Sequence, residues 1–367
     1  MRISRVEAIP IRVQKAWQST SALGLRTEST FGIVIAETDT GDRGLGEIAM
    51  FWNGGGAALC PMVRDQLGPA LIGQSPFDIN RAIARMDEAI QFSPAANPAK
   101  AAIEMALHDL VGRAWNTPVY NLLGGRAREA VVLSMSVALA PVEAMVAQSQ
   151  EFVRQGFRGV KLKVGRDPDH DVAATSAIRK AVGDEIVVRL DANMGWSSAK
   201  EALSVITRLA PLRIHSIEQP LRPEAVEGLA LLKAESPIPI MVDESVWGPD
   251  DAYRVIREKT ADILNVYVSE AGGLRNALRI FDMAQAAGLQ CTIGSMPELG
   301  IGTAACAHLG AAVGHLNEPA DVCGFLYYSE NLIRERWHVR NGVIAPLEGA
   351  GLGVTLDEDR LTALRID

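Results

Sequence analysis

Four short apolar runs in this chain each end on charged side chains, and the ends fall in register. GVKLKVG carries Lys161 and Lys163, VVRLDANMGW carries Asp191 and Asn193, IHSIEQP carries Glu218, and IPIMVDES carries Asp243. Lys163, Asp191, Glu218 and Asp243 follow one another at steps of 28, 27 and 25 residues, each about one strand-plus-helix unit. Runs that are apolar on both faces read as buried parallel strands. Candidate strands recur at 131–136, 159–164, 185–190, 215–219, 238–242, 261–266 and 290–294, and helical stretches such as 200–209, 225–235 and 273–287 fill the gaps. Seven or eight such units in about 200 residues is what a closed (β/α) barrel requires. A doubly wound open sheet shows the same alternation, so strand count alone leaves it standing as the second topology.

The flanking regions have a different rhythm. Residues 2–13 alternate polar and apolar, and FGIVIAETDTGDRGLGEI adds a strand, a turn at 38–42 and a third strand. From 75 to 123 the period lengthens to helical, with Ile103, Ala106, Leu107 and Leu110 on one face of AAIEMALHDLVGRAW. NLLGG ends that segment, Gly124 and Gly125 acting as helix stops. Residues 1–125 therefore read as an α+β unit, 126–330 as the barrel, and the Gly- and Pro-punctuated 331–367 as a tail returning to the first unit. A length of 367 residues fits two domains.

Composition excludes several function classes. A net charge of −8 argues against grip on nucleic-acid phosphates. Cys60, Cys291, Cys306 and Cys323 lie far apart with no CxxC pair, which fits a reducing compartment rather than a disulfide scaffold or zinc ribbon. The charged, alternating N-terminus does not read as a secretory leader. The longest uncharged run, 299–317, holds glycines, histidines and an asparagine and makes a poor membrane span. The expectation is a cytoplasmic homo-oligomeric enzyme acting on a small molecule, without nucleic-acid or membrane partners.

On a closed parallel barrel the registered side chains meet at one mouth, where active sites of such barrels lie. Three oxygen ligands from Asp191, Glu218 and Asp243, with no His or Cys beside them, suit a hard cation: Mg²⁺ first, Mn²⁺ second. Each acid alone could instead cap a helix, Asp243 before Glu244 and Ser245 above all. Lys161 and Lys163 are two apart on a strand, so both point to one face and Leu162 to the other. Beside each other and a divalent cation they are expected to depress one another's pKa, which makes a general base. An exposed basic edge is the plain alternative.

The run K-x-K, D-x-N, E-Q-P, D-E-S at these intervals resembles the enolase superfamily, in particular its muconate lactonizing enzyme subgroup. AAIEMALHDLVGRAWNTPVYNLLGG resembles the helix of that family's capping domain, and GSMPELGIGTAACAHL its seventh-strand region. The resemblance implies a modified (β/α)7β barrel with an α+β cap drawn from both chain ends, and capping loops near 15–24 and 51–56. It implies Mg²⁺ on Asp191, Glu218 and Asp243, Lys163 as the base that removes a proton α to a carboxylate, and Lys161 beside it. Racemases of this kind generally carry a second lysine at the sixth-strand end, where ADILNVYVSEAGG has Tyr267, 24 residues after Asp243. Tyr267 could donate a proton or serve as a passive wall.

The resulting expectation is β-elimination of water from a hydroxy acid or a hydroxylated amino or imino acid, with racemisation, epimerisation or cycloisomerisation as alternatives. Asn193, Glu298, Asp321, Ser295 and Trp52 are further candidates for substrate contact; a cap, loop or packing role is open for each. A competing motif, Gly300-Ile-Gly302-Thr-Ala-Ala305 with Glu318 and Asp321 about twenty residues on, loosely matches a dinucleotide fingerprint and an NAD-dependent dehydrogenase. Too little chain follows it for a complete nucleotide unit, and its glycines read better as an anion-friendly helix N-terminus.

Overall fold

A computed structural model of the chain describes residues 1–21, 24–51, 54–91, 93–317 and 319–367, with side chains for all of these but 17–21 and 24–26. Seven strands form one parallel sheet whose spatial order follows the sequence without reversal. They are Ser134–Val137, Gly159–Lys163, Val187–Asp191, Ser216–Glu218, Ile240–Val242, Ile263–Val266 and Gln290–Ile293. We number these the first to seventh barrel strands. Val160, Leu162, Val188, Leu190, Ile217 and Ile240 are all fully buried, which is why these runs are apolar on both faces.

The chain between 317 and 321 closes the ring. Asn317 and Asp321 donate their amides to the Cys291 and Ile293 carbonyls of the seventh strand, at 2.7 and 2.9 Å. On its other side Ala320 donates to Val132 at 2.8 Å and accepts from Ser134 at 2.8 Å, beside the first strand. That closure overturns the open-sheet reading: a doubly wound sheet has two edges and a reversal of strand order, and this sheet has neither.

The remaining chain builds the cap. Ile3–Ser21, Gly24–Thr38 and Arg43–Ile48 form an antiparallel sheet against the helix Asn97–Ala114. A Cβ on Gly44 or Gly46 would fall on the carbonyl oxygens of Ala106 or Ala102, so the third strand can approach this helix only as RGLGEI. The segment 15–24, expected to be a loop, is strand as far as Ser21 and again from Gly24. Ser19, Thr20 and Ser21 pair with Arg26, Leu25 and Gly24 beyond a register shift. Backbone pairing holds this arm together, so hydrophobic periodicity did not announce it.

The helix Asn97–Ala114 is buried on nearly every side, including the polar positions Lys100, Glu104, His108 and Asp109. The tail packs against the N-terminal sheet: Arg365 bridges Ile11, and the Ile366 amide donates to the Pro10 carbonyl at 3.0 Å. All four cysteines are free and buried. Among the described residues no helix is long and apolar enough to cross a membrane.

Candidate active site at the barrel mouth

Sheet register brings the strand-end residues side by side. Lys163 pairs with Asp191 across the second and third strands, Asp191 with Glu218, and Glu218 with Met241, two residues before Asp243. Just beyond these strands the backbone leaves ordinary territory. Asn193, Met194 and Gln219 have φ of 43°, 62° and 34°, a region that non-glycine residues enter at a cost of about 1–3 kcal/mol and chiefly at functional sites. The strain has local support. Asp191 Oδ1 accepts the Asn193 amide at 2.9 Å, and Gln219 Oε1 accepts the amides of Asp243 at 2.8 Å and Ser245 at 3.2 Å. The Gln of E-Q-P thus sets where the fifth strand presents Asp243.

Cations crowd one side of the mouth. The Lys163 ammonium donates to Asp191 Oδ2 and, at 2.9 Å, to Asn193 Oδ1. Lys161 donates to Asp321 Oδ2 at 2.6 Å and to Glu218 Oε1 at 3.1 Å. Arg189, 1% exposed, donates to Asp321 Oδ1 and Glu218 Oε2, both at 3.0 Å, and to the Pro319 carbonyl at 3.0 Å. Burial would lower the Lys161 ammonium, but the carboxylates of Asp321, Glu218 and Asp191 outweigh it and hold Lys161 well above the ordinary lysine range. The depression expected at Lys161 presupposes a divalent cation beside it; among the protein's own groups its nearest charges are the carboxylates of Asp321 and Glu218.

On the other side the acids raise one another, and among the described residues one oxygen of Glu244 has no partner. Burial, then the neighbouring Glu244, lifts Asp243 to about 7, and burial, then Asp191, lifts Glu244 to about 7. Glu218 is pushed well up by burial and by Asp191. Tyr267 is buried and donates its hydroxyl to Asp243 Oδ2 at 2.7 Å. Its ring occupies the space that a Cβ on Gly294 would need, which explains the glycine at the seventh-strand end. Burial, followed by Asp243, holds the phenol well above its usual range.

The weaker candidates are placed as follows. Asp321 lies between Lys161 and Arg189. Ser295 donates to Glu298 Oε2, and Glu298 Oε1 accepts the Met296 amide at 3.0 Å, so these two brace their own loop. Trp52 lies outside the described residues. Three mouth residues escaped the sequence reading: Arg189, Glu244 and Glu270. Arg189 left a signal, a charged residue inside the buried run VVRLD. Glu270 in VSEAGG left none.

The dinucleotide reading fails at its helix. The amides of Leu299 and Gly302, at the start of the helix Gly300–Ala312, donate at 2.7 and 2.8 Å to the two oxygens of Glu47 from the cap. The acceptor at that N-terminus is the protein's own Glu47 carboxyl.

Among the described residues, no three His, Cys, Asp or Glu side chains stand in ready-made ligating geometry for a metal. The chemistry of the set still fits one. Asp191, Glu218 and Asp243 are buried acids on adjacent strands, Glu218 and Asp243 are both raised by carboxylate neighbours, and one oxygen of Glu244 has no partner. An all-oxygen set whose members repel one another suits a hard divalent cation.

A closed barrel with charged strand ends and a two-ended cap defines an enolase-type enzyme, and the enolase C-terminal domain-like family matches residues 144–360. The mandelate racemase / muconate lactonizing enzyme N-terminal domain matches residues 8–124, and the chain belongs to this family. The hydrophobic dipeptide epimerase of Enterococcus faecalis is 36% identical over 85% of this chain and 88% of its own. Muconate cycloisomerase 1 of Rhodococcus opacus is 32% identical over 89% and 88%. The crystal structure of muconate lactonizing enzyme from Pseudomonas fluorescens, complexed with muconolactone, superposes with a TM-score of 0.95 at 32% identity, covering 100% of this chain and 99% of that one. The protein is an enolase-superfamily enzyme whose relatives are cycloisomerases, epimerases and racemases.

Proposed function

We propose that this enzyme removes the proton α to a substrate carboxylate, with Lys163 as the base, and goes on to eliminate a β-hydroxyl as water. Asp191, Glu218 and Asp243 would hold Mg²⁺, or Mn²⁺ in its place, and the bound cation would supply Lewis-acid stabilisation of charge developing on the substrate carboxylate. The observation that carries the elimination reading is the sixth strand. It lies four staves from the second, across the mouth from Lys163, and it offers a phenol bonded to Asp243 instead of a second ammonium. One base on one face favours a reaction in which that base acts twice. Lys163 takes the α-proton, the carbon–carbon double bond forms as the β C–O bond breaks, and the resulting ammonium returns the proton to the departing hydroxyl. Hydrogen and hydroxyl then leave from the same face as water. Lys161, held charged by Asp321 and Glu218, contributes positive charge beside the substrate carboxylate. Tyr267 positions Asp243.

The names of the relatives favour a second reading, cycloisomerisation or 1,1-proton transfer, which uses the same base. We also infer a homo-oligomer, supported by the exposed Phe77–Trp115 stack on the cap. Replacing Lys163 with Ala is expected to cut substrate α-proton exchange in D₂O about 10³-fold, the usual worth of a positioned base. Unchanged exchange would remove Lys163 from the mechanism. Dehydration at the wild-type rate in Tyr267→Phe would reduce Tyr267 to a wall residue.

A further inference from the structure

We propose that Glu270 is the recognition group for a cationic nitrogen on the substrate, which narrows the substrate class to amino- or imino-acid carboxylates. Glu270 lies on the turn that follows the sixth strand and is 1% exposed, yet among the described residues neither of its carboxylate oxygens has a hydrogen-bond partner. Its backbone is held firmly: the Glu270 carbonyl accepts Asn97 Nδ2 at 2.7 Å, and the same amide group donates to the Trp247 carbonyl at 2.8 Å. Burial first, then the charges of Asp243 and Glu244 at the fifth-strand end, Glu298 after the seventh strand and Asp251, hold its carboxyl well above the usual carboxylate range. The carboxyl therefore belongs to the acidic group at the fifth-strand end and after the seventh strand.

The cations of the mouth do not serve it. Lys161, Lys163 and Arg189 make their bonds to Asp191, Glu218 and Asp321. A divalent cation on Asp191, Glu218 and Asp243 would relieve the repulsion from Asp243 and still leave both Glu270 oxygens without a hydrogen-bond donor. Burying an ionised carboxylate without a partner is costly, and a lone hydroxyl donor on a substrate would satisfy one oxygen and none of the charge. A primary or secondary substrate ammonium brings three or two N–H donors together with the missing positive charge. A substrate whose carboxylate turns toward the lysines and whose nitrogen turns toward Glu270 would present its α-carbon between the two sides.

The inference rests on the proton-abstraction reading above for its chemistry, though its binding arm does not. The test uses full-length, Mg²⁺-supplied enzyme with matched probes: proline against tetrahydrofuran-2-carboxylate, and leucine against 2-hydroxy-4-methylpentanoate. Two readouts are followed, α-proton exchange in D₂O by NMR and the rise in Tm on adding each probe. In the wild type, the nitrogen-bearing member of at least one pair should exchange at least tenfold faster and give the larger Tm rise. Glu270→Gln should bring each ratio to within twofold, mainly through KM, while its Tm without probe stays equal to the wild type or rises.

A preference that persists in Glu270→Gln overturns the proposal, as does a wild type that favours the oxygen members, or a Glu270→Gln variant that is markedly less stable without probe. If the oxygen members alone exchange, Lys163 chemistry stands and the Glu270 assignment falls. If nothing exchanges but nitrogen probes raise Tm only in the wild type, the Glu270 assignment stands and the proton-abstraction reading falls. If no probe does either, both fall.

Discussion

Two groups of buried carboxylates in this molecule, one in the seam between cap and barrel and one at the barrel mouth, are treated differently. In the seam between cap and barrel, each is fully engaged. Glu104 accepts the amides of Leu274 and Arg275 at 2.9 and 3.0 Å, at the start of one barrel helix, and Glu47 does the same for the helix Gly300–Ala312. Asp109 accepts from Leu45, Leu352 and Arg113 at 3.0, 2.8 and 2.9 Å, tying both chain ends to the cap helix. At the mouth, Glu244 keeps one bare oxygen and Glu270 two. A satisfied buried acid at a helix N-terminus strengthens the fold through the helix dipole and its hydrogen bonds. An unsatisfied one weakens it, and a fold retains such a group where a ligand completes it.

The comparison yields its largest stability effect at the paired side of the mouth. Arg189→Met should cost about 3–5 kcal/mol in chemical denaturation, because it strands Glu218 and Asp321 as buried charges without their guanidinium. A loss under ~1 kcal/mol would mean that this side is no better compensated than the other. In the seam, Glu104→Ala should cost about 2–3 kcal/mol by leaving two helix amides unmet, with activity per folded molecule unchanged. A fall in activity at constant stability would move Glu104 from the seam to the site.

The third effect is a slope. Burial, opposed by the amides of Gly302 and Leu299, raises Glu47 from 4.5 to about 8. Folded protein therefore holds a proton that the unfolded chain releases near pH 4.5, so this group's contribution to stability falls as pH rises through that window and levels off above pH 8. Glu47→Gln should flatten the decline by up to about 1.4 kcal/mol per pH unit between pH 5 and 8. An identical slope in both proteins would show that Glu47 is ionised throughout.

What the sequence made legible follows from distance along the chain. Lys163, Asp191, Glu218 and Asp243 could be aligned because one strand-and-helix unit fixes the step between them, and the side-chain alternation of a strand places Lys161 with Lys163. The seam was hidden, since Glu47 and Glu104 find their partners 252 and 170 residues away. Tyr267 could be placed at its strand end, but its bond to Asp243 depends on how two neighbouring strands are staggered. Arg189 was visible as a charge in an apolar run, while its partner Asp321 lies on the segment that closes the barrel. Glu270 became visible only when its neighbours were shown to offer it nothing.

The central claim is that the buried strand-end acids Asp191, Glu218 and Asp243 together receive a cation. Titration with Mn²⁺ followed by electron paramagnetic resonance tests it directly. The wild type should take up one Mn²⁺ per chain, displaced by Mg²⁺, and Glu218→Gln should lose that uptake while keeping its fold. A wild type that leaves all Mn²⁺ free, or a Glu218→Gln variant that binds it undiminished, would contradict the account.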